Sequence, residues 1–184
     1  VKLGAAGDVI RTTPLLFPLQ RDYPDHALTW VTDFPALVPR RAGDIRALDT
    51  ATLLWLRHVR FELAINLDKD RQACALLREV TADRKIGFTL GDDGLCRPVV
   101  EDVAPSMAAA VRAKYLTGLF DDVNRACTTS YLQEIFAICG WEFAGEPYVI
   151  DRPEPAPTFD LPPARPLVGL NAGCGGRWTS RLWP

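Results

Sequence analysis

Two short stretches hold residues whose types and spacing suit chemistry. The first is Gly4-Ala5-Ala6-Gly7-Asp8, which follows Val1-Lys2-Leu3 and precedes an apolar-periodic run. Glycines between a strand and a helix let the backbone approach a ligand closely. The helix start adds free N–H groups and a partial positive charge. Asp8 has two readings there: a helix cap, or a general base facing a cleft. The glycine spacing departs from G-x-G-x-x-G, so it is a poor dinucleotide fingerprint.

The second stretch is Asn171-Ala172-Gly173-Cys174-Gly175-Gly176-Arg177-Trp178-Thr179-Ser180-Arg181. Its three glycines can point several backbone N–H groups into one concavity, an anion nest. Thr179 and Ser180 add hydroxyl donors, and Arg177 and Arg181 add guanidinium forks that bind phosphate bidentately. The set suits a diphosphate; the alternative is an interdomain loop with solvated arginines. No G-K-[ST] occurs, so it is not a Walker loop.

Composition narrows the classes further. The chain has 184 residues, 48% hydrophobic and 24% charged, which places it among ordinary globular proteins. A net charge of -2 gives no electrostatic footprint for nucleic acid. The five cysteines, Cys74, Cys96, Cys127, Cys139 and Cys174, are odd in number and none are spaced C-x-x-C. That predicts neither a disulfide framework nor a zinc site and fits a reducing cytoplasm. With two histidines, His26 and His58, no metal ligand set is evident and no metal is expected. No run is apolar enough for a membrane span. The opening reads as the end of a strand, and the last residues follow a loop where a helix would begin. The sequence is therefore predicted to be truncated at both ends, and the piece to be inactive alone.

The elements that must position these residues alternate. Val9 to about Arg21 is predicted as an amphipathic helix kinked at Pro14, 27–32 as a second strand, 63–67 as a third. A helix follows over 71–80 and a short strand over 84–88. Residues 91–105 read as loop, and 107–120 and 130–139 as helices, the last opened by a Ser130/Gln133 capping box and stopped by Gly140. Trp30, Trp55 and Trp141 read as core or half-buried packing. Asp68, Lys69 and Asp70 follow a strand and read either as bordering a cleft or, in preference, as a solvated turn, and Arg112 and Lys114 read as a solvated helix face. Seven prolines between residues 147 and 166 mark a semi-rigid linker. The alternation predicts an α/β domain, a Rossmann-like parallel sheet with flanking helices over 1–146. The linker 147–166 and the first strand and glycine loop of a second α/β domain over 167–184 follow.

Leu3-Gly4-Ala5-Ala6-Gly7-Asp8-Val9-Ile10-Arg11-Thr12-Thr13-Pro14-Leu15-Leu16 resembles the opening loop and helix of glycosyltransferase family 9, the ADP-heptose:lipopolysaccharide heptosyltransferases. Ala64-Ile65-Asn66-Leu67-Asp68 and Arg84-Lys85-Ile86-Gly87-Phe88 are similar to that family in the same order. So is Val168-Gly169-Leu170, with Arg181-Leu182-Trp183-Pro184 similar to its K-x-W-P signature. Arg181 stands where the family usually has lysine, and a planar fork replaces a compact ammonium.

The resemblance implies a GT-B enzyme of two facing Rossmann-like domains, the first for the acceptor and the second for the nucleotide-sugar. It implies metal-independent, inverting transfer of a sugar, a heptose in the family's pattern, with Asp8 as the catalytic base. Gly173, Gly175, Gly176, Thr179, Ser180 and Arg181 would hold the donor diphosphate, and Gly4, Gly7 and Arg11 the acceptor side. Arg11 also reads as projecting into water. The implied acceptor is lipid-linked or phosphorylated saccharide at the inner face of the cytoplasmic membrane, with a nucleotide-sugar such as ADP-heptose as substrate and no cofactor. Two rivals remain. One is another nucleotide-sugar or NAD-using Rossmann enzyme, with Asp33 near the end of the second strand; the other is a non-catalytic saccharide-binding module.

Overall fold

A computed structural model describes residues 1–152, 154, 155, 158, 160 and 168. It divides into two units, Val1–Asp151 and Arg152–Pro184. In the first unit, parallel strands alternate with helices: α1 Ala6–Thr12, α2 Leu16–Asp22, β1 Thr29–Val31, β2 Asp44–Arg46, α3 Thr50–His58, β3 Arg60–Asn66 and α4 Arg71–Glu79. β4 Thr81–Leu90, β5 Cys96–Pro98, α5 Pro105–Leu116, α6 Asp121–Ala126 and α7 Tyr131–Ile138 complete it.

β1 pairs with β2 and β3 with β4, both parallel, and β5 closes the edge antiparallel to β4. Residues 1–3 join the two sets. Lys2 N donates to Val31 O at 3.1 Å on one side, and Leu67 N donates to Val1 O at 3.2 Å on the other. The spatial order is thus β2, β1, residues 1–3, β3, β4, β5. In chain order that is 3-2-1-4-5-6, compatible with a Rossmann-like sheet, and its direction of winding reverses between residues 1–3 and β3.

Side-chain alternation sends successive residues to opposite faces. Trp30 packs with Val9 and Leu16 of α1 and α2, whereas Val31 packs with Leu56 of α3 and Leu76 and Leu77 of α4. Ile86 and Phe88, two apart on β4, meet Val111 of α5 and Ile135, Phe136 and Ile138 of α7. Both faces of the sheet are therefore covered, as a parallel sheet requires.

Pro14 breaks the first helix as its ring demands. A single 3-10 turn, Thr13–Leu15, separates α1 from α2. The predicted capping box is present: Ser130 Oγ accepts from Gln133 N at 3.3 Å, and Gln133 Oε1 accepts from Ser130 N at 2.9 Å. Gly140 takes φ +81 just past α7. Other boundaries move. β4 is ten residues long where a short strand over 84–88 is predicted, because pairing with β3 carries it back to Thr81. Cys96–Pro98 pairs as β5 within the predicted loop. The predicted helix 107–120 ends at Leu116, and β2, α3 and α6 add to the predicted elements.

Of the tryptophans, Trp30 is buried and Trp55 and Trp141 are half-buried. Val149 N donates to the Thr13 hydroxyl at 2.9 Å and Arg40 N to Asp151 at 2.8 Å, so the chain stays docked on the first unit through Asp151. No helix among the described residues is long and apolar enough to cross a membrane.

Candidate functional site

The carboxyl ends of residues 1–3 and β3 meet where the strand order reverses, the place at which open α/β sheets form their crevice. A cavity of about 240 Å³ lies there, lined by Lys2, Asp8, Asp68, Lys69, Lys114 and Tyr131 over a floor that includes Phe88. A larger cavity of about 450 Å³ has linings such as Leu16 of α2, Leu28, Leu63 of β3 and Leu77 of α4. At it, His26 and Glu62 satisfy one another at 2.6 Å. The smaller cavity is the candidate site, because it gathers the ionisable groups and sits at the reversal.

Asp68 is the structural pin of the crevice. One of its oxygens, Oδ2, accepts from Lys2 Nζ at 3.1 Å, Leu3 N at 3.1 Å and Gly4 N at 3.2 Å; Oδ1 accepts from Asp70 N at 3.2 Å. Burial pushes this carboxyl up, but the Lys2 ammonium and the Gly4 and Asp70 amides outweigh it and hold the group below the usual carboxylate range. Asn66 secures the same corner. Its Nδ2 donates to Phe88 O at 2.7 Å and Asp68 O at 2.9 Å, and its Oδ1 accepts from Asp68 N at 2.9 Å. That side chain and its backbone need room beside β4, and Gly87 provides it. A Cβ at Gly87 would lie 1.9 Å from Asn66 O, and its φ is +98.

Asp8 is placed differently. The N-cap of α1 is Ala5, without a side-chain cap, and Asp8 is the third helical residue. The capping alternative for Asp8 is therefore overturned: the loop enters the helix earlier than the sequence suggests. Its side chain is 38% exposed and makes two loose ion pairs, with Arg11 Nη1 at 3.4 Å and Lys2 Nζ at 3.9 Å. Of the two carboxylates at the crevice, Asp68 accepts four hydrogen bonds at 3.1–3.2 Å and Asp8 only the one from Arg11.

The remaining sequence candidates fall as follows. Gly4 lies in the loop after residues 1–3, whereas Gly7, expected in that loop, is the second residue of α1. Gly4 N is held by Asp68, and a Cβ at Gly7 would meet nothing within 4 Å, so the first turn of α1 is open on that side. Arg11 does not project freely into water; its guanidinium carbon lies 3.9 Å from the centroid of the Tyr131 ring. Asp33 is exposed just after β1, its N–H donating to Leu3 O at 3.0 Å. Gly173, Gly175, Gly176, Thr179, Ser180 and Arg181 lie outside the described residues.

Two bland expectations are corrected. Asp68 and Lys69 are not a solvated turn: Asp68 is buried, Lys69 is half-buried, and Asp70 caps α4 by accepting from Gln72 N at 2.9 Å. Lys114 is not on a solvated face either; it pairs with Glu134 of α7 and sits 4.9 Å from the Tyr131 centroid, while Arg112 is exposed. Lys69 Nζ donates to Lys114 O at 3.0 Å and lies 5.6 Å from the Phe88 centroid. Burial, then the neighbouring Lys114, pulls the Lys69 ammonium below its ordinary range. Among the described residues Lys69 makes no ion pair, so it is the cation best placed to meet a ligand's negative charge. Burial, then Asp8, pushes the Tyr131 phenol well above its ordinary range and keeps it a hydroxyl donor.

Chemically, the site offers a proton acceptor at Asp8, ammonium groups at Lys2, Lys69 and Lys114, and a protonated phenol. Among the described residues no three His, Cys, Asp or Glu side chains come together as a metal ligand set. Family models, curated proteins and solved structures yield no match to the chain.

Proposed function

We propose that this chain belongs to a GT-B glycosyltransferase similar to family 9, with Val1–Asp151 as its acceptor-side domain and the start of the donor-side domain after the proline linker. The observation that carries the reading is the Asp8 carboxylate: at the reversal point of the sheet, free of capping duty, lining a crevice beside cations. The ordered sequence motifs support it, since the loop and helix start that include Asp8 are the ones the resemblance assigns to catalysis.

In this reading Asp8 accepts the proton of an acceptor hydroxyl as that oxygen attacks the anomeric carbon of a nucleotide-sugar. The bond to the diphosphate breaks with inversion, and the charge on the leaving group falls to Gly173, Gly175, Gly176, Thr179, Ser180 and Arg181. Amides and a guanidinium aimed at developing charge stabilise it by about 3 kcal/mol per well-placed donor. The acceptor is a saccharide, lipid-linked or phosphorylated, at the cytoplasmic face of the membrane, and the donor sugar is a heptose or a related sugar.

The test is Asp8→Asn in the transferase with its complete donor domain. General-base help contributes roughly 10²–10⁴-fold, so kcat should fall by that range while KM for the nucleotide-sugar stays put. Near-normal turnover by Asp8→Asn would remove Asp8 from the mechanism.

A further inference from the structure

Asp8 and Arg11 are three residues apart on α1, so they share a face, and Arg11 Nη1 lies 3.4 Å from Asp8 Oδ1. A loose, partly exposed pair of this kind holds its geometry poorly by itself, because both side chains keep rotamer freedom. Here Arg11 is held from the other side. Tyr131 opens α7, immediately after the Ser130 capping box, and its half-buried ring lies 3.9 Å from the Arg11 guanidinium carbon. The same ring lies 4.9 Å from Lys114 Nζ, and Lys114 is anchored to Glu134 one turn along α7. A cation within about 6 Å of an aromatic centroid is attracted by the ring's negative face. Two cations from two different helices, α1 and α5, therefore converge on one ring at the wall of the crevice.

We propose that Tyr131 is a positioning residue: its ring clamps the Arg11 guanidinium against Asp8 and so fixes the carboxylate at the crevice. The catalytic part of this proposal rests on the reading of Asp8 as the base. The clamp needs the ring and not the hydroxyl, because the attraction is to the π face.

Two measurements test it. In the first, the side-chain Nε–H resonance of Arg11 is followed by NMR in the chain itself. A guanidinium stacked on a ring is shifted by the ring current, and the shift should be present in the wild type and in Tyr131→Phe but lost in Tyr131→Leu. An unshifted signal in the wild type overturns the clamp.

In the second, kcat is measured for Tyr131→Phe, Tyr131→Leu, Arg11→Gln and the double variant Tyr131→Leu/Arg11→Gln. Misplacing a catalytic group by about 1 Å costs up to roughly 10²-fold. Tyr131→Leu and Arg11→Gln should each lower kcat about 10- to 100-fold with KM for the nucleotide-sugar unchanged, and Tyr131→Phe should restore it. The double variant should be no worse than either single one, since both remove one interaction. Multiplicative losses, or a Tyr131→Phe loss equal to that of Tyr131→Leu, overturn the proposal. Should Tyr131→Leu fold poorly, Arg11→Gln leaves the ring and the packing of α7 in place and must show the same drop; normal turnover by Arg11→Gln refutes the clamp. Failure of the base assignment looks different: Asp8→Asn turns over normally while the Arg11 resonance still reports a stacked guanidinium.

Discussion

Asp68→Asn isolates the contribution of the pin at the crevice. The change is nearly isosteric, yet an amide carries one acceptor oxygen where the carboxylate carries two. At Asp68 both oxygens are in use, by Lys2 Nζ and three backbone N–H groups at 3.1–3.2 Å. The side chains of Lys2 and Asp68 are only 8% and 12% exposed, so solvent screens little of the loss. Breaking a buried pair costs about 3–5 kcal/mol when the other charge is stranded, and here the retained oxygen and the Asp8 carboxylate 3.9 Å from Lys2 place this variant near the lower end. For a chain of this length about 3 kcal/mol corresponds to a Tm lower by roughly 6–12 °C, read by circular dichroism at pH 7. The pH dependence has a definite sign. The carboxyl sits lower in the folded state than in the unfolded one, so its stabilisation is present above the unfolded value of about 3.9 and is lost as pH falls through the folded one. The difference in Tm between wild type and Asp68→Asn should narrow progressively below about pH 4. A Tm within 2 °C of wild type at neutral pH, roughly the limit for a change under 1 kcal/mol, would show that Asp68 does not pin the loop. So would a gap that widens in acid.

Two further outcomes follow from the backbone. Gly87→Ala should lose at least about 3 kcal/mol, from a positive-φ cost of about 1–2 kcal/mol plus the displacement of β3 from β4. Its added carbon would meet Asn66 O at 1.9 Å, whereas Gly94→Ala, at φ +72 with nothing within 4 Å, should pay the conformational cost alone. Comparing the two by thermal melts separates collision from backbone preference, and equal losses would refute the steric account. Ser130→Ala removes the capping hydroxyl of α7 and should lower stability by about 1 kcal/mol in a urea titration, with an unchanged slope.

Much of the frame was legible because it is local. The kink at Pro14, the capping box at Ser130 and Gln133 and the stop at Gly140 are each set by residues within one turn of one another. Elements whose definition depends on distant partners were not. β2 is Asp44-Ile45-Arg46, too short and too polar to alternate visibly, and it exists because β1 offers it an edge. In α3 the helical period is blurred: Thr50 and Thr52 are poor helix formers, and Leu53 and Leu54 are exposed, so the apolar positions do not trace one stripe. The site divides the same way. Asp8 announces itself by its place between a glycine loop and a helix. Lys114 and Tyr131 come from two separate helices, and nothing in their local sequence marks them as crevice residues. Asp68 did carry a usable signal, since it follows the β3 run at the carboxyl end of a strand, where parallel sheets place their binding residues.

Asp8 and Asp68 show why a residue's chemistry has to be argued from its surroundings and not from its type. Asp68 follows β3 and Asp8 lies in the first turn of α1, and both stand within 4 Å of the same Lys2 ammonium, at 3.1 and 3.9 Å. Asp68 accepts four hydrogen bonds, from Lys2, the Gly4 loop and its own turn, and these favour its ionised form and hold it in place. Asp8 makes only long contacts to Lys2 and Arg11 and remains partly open to solvent. The exposed Arg11 pair contributes about 0–1 kcal/mol, and Lys2 makes its closer pair with Asp68, so the fold gains little from the charge at position 8. A carboxylate that the fold scarcely uses, held at a crevice by a lysine, an arginine and an aromatic ring, is available for chemistry. The two isosteric amide substitutions should therefore separate cleanly: Asp68→Asn in stability, with the Gly4 loop loosened, and Asp8→Asn in turnover, with melting almost unchanged. If Asp8→Asn instead melted as low as Asp68→Asn, position 8 would be a second pin, and the division of labour between the two carboxylates would be wrong.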